Sequence, residues 1–163
     1  MNYIQMRSMD ISNGEGVGCS LFVSGCKFHC KDCFNSESWD FNSGKPFDSE
    51  AKSKLIELAS KPYISRITIL GGEPLADGNY QEIGKLIPEL PKKQIWLFTG
   101  YTFEELLQDQ NRLDVVSMVD VLVEGRFVAE LKDISLKFRG SSNQRILDAK
   151  ASVRGGQPIF YYK

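Results

Sequence analysis

Residues 19–35, "CSLFVSGCKFHCKDCFN", run from a bulky apolar stretch straight into a loop with three cysteines in eight positions. The apolar part, 19–24, reads as a buried strand, and the glycine, lysine and aspartate that follow read as a loop. Cys26, Cys30 and Cys33 are spaced C-x3-C-x2-C, while the fourth cysteine of the chain, Cys19, falls within the strand. A structural zinc site closes its shell with four ligands, commonly two separated pairs, and only one such pair occurs here. His29, the single histidine, neighbours Cys30, and adjacent side chains rarely reach one ion together. A ferredoxin-like electron carrier takes four thiolates per cluster. Three thiolates around a four-iron cube leave one iron open, and an open iron can bind a chelating substrate.

Outward from this loop, strand-like and helix-like segments alternate. Residues 48–61, "DSEAKSKLIELASK", predict a helix with Asp48 or Ser49 as N-cap and Leu55, Ile56, Leu58 and Ala59 on its apolar face. "RITIL" (66–70) is a short β-branched strand that runs into "GGEPL". A helix follows at 79–90, interrupted near Pro88, then a strand at 94–99, one or two helices within 102–119, and a strand at 119–125 whose end meets a glycine. This alternation implies parallel strands joined by crossover helices. The strands read as continuous apolar runs, as buried parallel strands do. Each strand end is followed by a loop of chemical interest: "GCKFHC", "GGEP", "TGY" and "EGRF". In parallel α/β folds ligands bind at the carboxyl ends of strands, so these loops are expected on one face. A complete eight-unit barrel needs about 250 residues. The 163 residues present predict one domain, 1–163, of α/β class, built as a partial, open-sided barrel of four to six mostly parallel strands.

The composition narrows the partners. A net charge of −1 argues against nucleic acid or an anionic membrane surface as the main partner. No stretch approaches the ~18 consecutive apolar residues of a membrane span. The N-terminal "MNYIQMRSMDISNGEG" has no apolar core of a signal peptide, so a cytoplasmic location is expected. Thiols are kept reduced there, and clustered cysteines then point to metal or redox chemistry.

The three-cysteine loop after a buried strand, with "GGEP" after the next one, resembles the radical S-adenosylmethionine (SAM) superfamily. The resemblance implies a radical SAM barrel with a 4Fe-4S cluster on Cys26, Cys30 and Cys33, its fourth iron open to the amino and carboxylate groups of SAM. Asp32, Cys33 and Phe34 then lie where the superfamily contacts the adenine. The aromatic residue often found before the third cysteine stands one place later here, at Phe34. Gly71, Gly72, Glu73 and Pro74 match the motif whose backbone binds the methionyl amino group, and glycine suits a close approach of ligand to backbone. "DISNGEGVGCSLFVSGC", "NSESWDFNSGKPF", "WLFTGY", "VDVLVEGRF" and "FRGSSNQR" are similar, across nearly the whole chain, to the family of anaerobic ribonucleoside-triphosphate reductase-activating proteins. That family pattern has proline at Glu15 and arginine at Gly18. The similarity implies an oxidoreductase that installs a glycyl radical on the large subunit of the reductase, with a flavodoxin-type electron donor. A short open barrel suits a protein loop as substrate. No residues stand out as catalytic beyond the cluster and SAM, in keeping with hydrogen-atom abstraction that needs no general acid or base. A radical enzyme with a small-molecule substrate, such as a 7-carboxy-7-deazaguanine synthase, is the alternative within the superfamily. A non-catalytic electron carrier or zinc-binding module is the alternative outside it.

Other residues carry weaker signals. Trp39, Phe41 and Phe47 read as core around the cluster loop. Thr99 and Gly100 lie at a strand end and are candidates to line the SAM pocket. Arg126 and Arg139 are either solvated or in contact with the partner or the methionyl carboxylate. Cys19 reads as a small buried apolar residue. The aromatic tail, "QPIFYYK", docks on the domain or on a partner.

Overall fold

A computed structural model describes residues 1–163. Seven strands form one open sheet in the order β3-β1-β2-β4-β5-β6-β7. They are β1 (Asn2–Asp10), β2 (Gly18–Val23), β3 (Lys45–Pro46), β4 (Arg66–Gly71), β5 (Gln94–Thr99), β6 (Val121–Glu124) and β7 (Arg145–Asp148). The central strands β2, β4, β5 and β6 are parallel, and they are the four strands read from the sequence. The antiparallel strands β1, β3 and β7 raise the total to seven, above the expected four to six.

Helices join the parallel strands as crossovers. Helix α1 (Ser49–Ala59) starts where the Asp48 carboxylate accepts from the Ala51 amide at 2.9 Å. Helix α2 (Asn79–Leu86) gives way to a 3-10 turn at Ile87–Glu89, because Pro88 has no amide hydrogen to continue the ladder. Helices α3 (Phe103–Leu106) and α4 (Gln110–Val116) lie between β5 and β6, and α5 (Ala149–Gly155) follows β7. No helix is long and apolar enough to cross a membrane.

The period of two along each strand sorts the sheet into two faces. Cys19, Leu21, Val23, Ile67, Ile69, Ile95, Leu97 and Leu122 pack with Leu55, Ile83, Leu86, Phe103 and Val116 of the helices in the main core. On the opposite face Trp96, Val121, Val123 and Ile146 form a smaller cluster, covered by Phe138 and Tyr161. Trp96 meets both rings edge-on, at 5.3 and 5.8 Å. The C-terminal tail therefore docks on the domain, and the Tyr162 hydroxyl donates to the Glu15 carboxylate at 2.6 Å. Arg66, fully buried at the start of β4, is satisfied by Thr68 and by the carbonyls of Glu15 and Asp10.

The loops after β2, β4, β5 and β6 gather at the carboxyl ends of the parallel strands. A flat sheet would hold β2 and β6 about 14 Å apart. Yet Arg126, after β6, stacks on Phe28, after β2, with 4.2 Å from Cζ to the ring centroid. The two loops meet above the ends of β4 and β5.

Candidate functional site

Cys26, Cys30 and Cys33 line one cavity of about 140 Å³ together with Gly71, Gly72, Glu73, Thr99, Gly100, Gly125 and Arg126. The sequence placed these residues in four separate loops, and the topology brings them to one wall. Larger hollows exist, such as one of about 610 Å³ beside β3 and α1, but its lining is mostly charged and contains no thiol.

The backbone explains how the cysteine loop is held. The Gly25 amide donates to the Ser38 carbonyl at 2.6 Å and the Cys26 amide to the Trp39 carbonyl at 3.0 Å. From the other side, the Glu73 amide donates to the Gly25 carbonyl at 2.7 Å and the Gly72 amide to the Val23 carbonyl at 2.8 Å. The Asn79 side chain bridges the two loops, donating to the carbonyls of Ser24 at 2.9 Å and Glu73 at 3.0 Å. Glycine is required at this junction. Gly71 has φ of +117°, and a Cβ on Gly72 would lie 2.6 Å from the Gly25 carbonyl oxygen.

Glu73 is buried, and its carboxylate is fully engaged. One oxygen accepts from the Thr99 hydroxyl at 2.7 Å and the Leu75 amide at 2.8 Å; the other accepts from the Gly100 amide at 2.7 Å. Burial pushes its pKa up to about 6 against the pull of these three donors. The side chain thus ties the end of β4 to the end of β5. Pro74 is buried behind it, outside the cavity lining.

The sulfurs have donors nearby. Burial raises the Cys26 and Cys30 thiols, while the amides of Phe28 and His29 favour thiolate at Cys26 and the Phe127 amide favours it at Cys30. The Asn35 amide donates to Cys33 Sγ at 3.4 Å. No three His, Cys, Asp or Glu side chains converge tightly enough to hold a single ion. Ligand sulfurs of one tetrahedral zinc stand about 3.8 Å apart. Thiols spread along a shared wall, each with a backbone amide beside it, instead suit a larger group that takes one thiolate per metal. This donor set fits an iron–sulfur cluster.

A second cavity of about 380 Å³ adjoins the first and shares Cys33, Asn35, Leu70, Phe98, Phe127 and Gln144 with it. Phe34 lines this second chamber, 63% exposed, with its ring 5.3 Å from that of Phe127. Asp32 has a positive φ of 60° and an exposed side chain outside both linings. Arg126 is not free: it pairs with Glu105 through both terminal nitrogens at 3.0 Å. Arg139 lines the second cavity and donates to the Gln144 carbonyl. The sequence reading passed over Asn35, Asn79, Phe98, Phe127 and Gln144 as site residues. Phe98, Phe127 and Gln144 carried a signal, within the "WLFTGY", "VDVLVEGRF" and "FRGSSNQR" stretches, and Asn35 closes the cysteine stretch; Asn79 carried none.

Comparison with known proteins bears on the same residues. The family model of a 4Fe-4S single cluster domain matches residues 12–147. The chain is 45% identical over 150 residues to the anaerobic ribonucleoside-triphosphate reductase-activating protein of Escherichia coli K12, covering 88% of this chain and 96% of that protein. Proteins of the same name from Pasteurella multocida (40% over 155 residues) and from Enterobacteria phage T4 (37% over 150 residues) each align over 90% of this chain, covering 96% and 93% of their own lengths.

Proposed function

The chain belongs to the family of anaerobic ribonucleoside-triphosphate reductase-activating proteins, and from that premise we propose that it is a radical SAM activase that places a glycyl radical on the large subunit of the reductase. The observation that carries the reading is the single cavity in which three cysteines face the Gly71–Glu73 backbone at the ends of four parallel strands. The open sheet is read as a partial radical SAM barrel.

Cys26, Cys30 and Cys33 would hold three irons of a 4Fe-4S cluster and leave the fourth open to SAM. A cluster held there would supply the low-potential electron for reductive cleavage of SAM, the chemistry needed to abstract a hydrogen atom from a glycine Cα of the partner. The residues around it position and enclose. The amides of Gly72 and Glu73 are taken by the Val23 and Gly25 carbonyls, and the Glu73 carbonyl accepts from Asn79 and Ala76, so the Gly72 carbonyl oxygen is the acceptor this turn offers to the methionyl ammonium. Phe34, Phe98 and Phe127 provide an apolar wall for the adenosyl group and for the partner's loop. The one carboxylate at the cavity, Glu73, accepts from three donors and so holds the ends of β4 and β5 together beneath the cysteines. Asp32 is read as bordering the adenine through its main chain. A flavodoxin-type protein is the proposed electron donor, on the family resemblance.

The test combines reduced protein, SAM and the reductase under anaerobic conditions, read by electron paramagnetic resonance. A glycyl doublet that is lost with Cys30→Ala is expected. Formation of 5′-deoxyadenosine without the doublet would overturn the substrate assignment.

A further inference from the structure

The structure assigns Phe28 and Arg126 a joint task as positioning residues: the Phe28 ring is a plug that fixes the chain between Cys26 and Cys30, and the Arg126 guanidinium is the lid that keeps the plug seated. Of the three residues between these cysteines, Lys27 and His29 are exposed and Phe28 is not. His29 has a positive φ of 49°, a conformation that a non-glycine residue holds only when its surroundings impose it. Its ring stacks on Trp39 at 4.3 Å on one side of the loop. Phe28 anchors the other side.

The notch that receives Phe28 is built from the end of β5. Its floor is Gly100, where a Cβ would fall 2.6 Å from the Phe28 ring. Its wall is Tyr101, edge-on at 4.9 Å. Its lid is Arg126, 4.2 Å above the ring. The lid is itself held flat. Both terminal nitrogens of Arg126 donate to Glu105, and Glu105 is fixed at the start of α3 by a reciprocal cap with Thr102. The Arg126 carbonyl accepts from the Asn143 side chain at 2.8 Å. A planar fork on a carboxylate leaves the guanidinium face free for an aromatic ring, which an ammonium group cannot reproduce. Order therefore runs from α3 through Glu105 and Arg126 to Phe28, and from Phe28 to the two cysteines beside it.

The significance of this plug rests on the reading of Cys26 and Cys30 as ligands, but its test does not. The measurement is the rate at which each cysteine of the metal-free protein reacts with iodoacetamide, resolved by mass spectrometry. Loss of the lid or the plug in Arg126→Leu, Phe28→Ala or Gly100→Ala should speed Cys26 and Cys30 by about two- to fivefold, the range set by one cation–π contact. Cys19, fully buried in β2, should stay silent. A role for Arg126 as a nearby positive charge alone predicts the opposite sign, because removing it disfavours thiolate and slows Cys30. Slower or unchanged rates in Arg126→Leu overturn the proposal. If Cys19 reacts in step, that variant has opened the whole fold and Arg126→Lys decides, since it keeps the charge and loses the flat face. Faster Cys26 and Cys30 with Cys19 silent then supports the plug, and no change overturns it. Iron binding, measured separately, reports on the ligand assignment itself.

Discussion

The Thr99 hydroxyl donates to the Glu73 carboxylate at 2.7 Å, and this bond joins the ends of two neighbouring parallel strands beneath the cysteine loop. Glu73 is a buried acid whose pKa rises to about 6 from an ordinary value of 4.5. Below pH 4.5 it is protonated in both folded and unfolded chains, and it costs nothing. Above pH 6 it is ionised in both, and the folded state carries the full cost of the buried charge. Stability therefore falls as pH rises between these values, by about 2 kcal/mol for a shift of this size. Glu73→Gln should remove that component from a plot of melting temperature against pH. Thr99→Val should push the Glu73 titration higher still, because the carboxylate loses a donor. An unaltered pH profile in Glu73→Gln would show that another group is responsible.

Gly72 and Gly84 separate close approach from helix propensity. A Cβ on Gly72 would lie 2.6 Å from the Gly25 carbonyl oxygen, which is rigid backbone one residue before Cys26. Gly72→Ala should cost about 1–3 kcal/mol. The melting temperature should fall by about 2–4 °C for each kcal/mol lost in a chain of this length. Retention of iron after desalting should fall with it. Gly84 sits within α2, where a Cβ would meet Val115 at an ordinary 3.4 Å. Gly84→Ala should raise stability by about 0.5–1 kcal/mol and leave iron retention unchanged.

The parallel core was legible because each of its strands is a short apolar run followed by a distinctive loop. "QIWLFT" is β5 to the residue. The antiparallel strands were not. β1 has half-exposed and exposed positions over most of its length, and its register with β2 shifts twice, so neither a continuous apolar run nor a clean alternation marks it. β3 has two residues and β7 four, too few for any period to show. At the site, cysteine and glycine announced themselves by spacing. Phe28, Phe98 and Phe127 did not, because an aromatic residue in the sequence looks the same whether it fills the core, walls a cavity or plugs a notch. Only the approach of the β2 and β6 loops distinguishes these roles, and that contact crosses almost one hundred residues.

Cys19 and Cys33 should part company when changed. Cys19 is fully buried among the residues of the main core, and burial drives its pKa up to about 11, so it is a neutral thiol at physiological pH. Cys19→Ser would bury a hydroxyl at a cost of about 1–3 kcal/mol. Iron content per chain should stay at the wild-type level. Cys33 is half-buried in the loop, so Cys33→Ser should leave the melting temperature of the metal-free protein near wild type and sharply reduce its iron content after reconstitution. Iron lost equally in both variants would place Cys19 among the ligands.

Arg145 and Glu124 test how the far end of the site is held. Glu124, at the end of β6, is 1% exposed; one of its oxygens is paired with Arg145 and the other accepts from the Phe103 amide at 3.0 Å. The pair fastens β7 to β6 just before the chain reaches Gly125 and Arg126. Arg145 also reaches Glu104 at 2.7 Å, and its own side chain is 26% exposed. Arg145→Met would strand the Glu124 charge in the interior, a class of change that costs about 3–5 kcal/mol. Partial access of water at Arg145 places the expected value near the lower end. The double variant Glu124→Gln with Arg145→Met should recover much of the loss, since no buried charge is then left without a partner. Urea denaturation of the four members of this cycle gives the coupling directly. If Arg145→Met alone proves as stable as wild type, the ion pair contributes little and β7 is held by the packing of Ile146 and Leu147 instead.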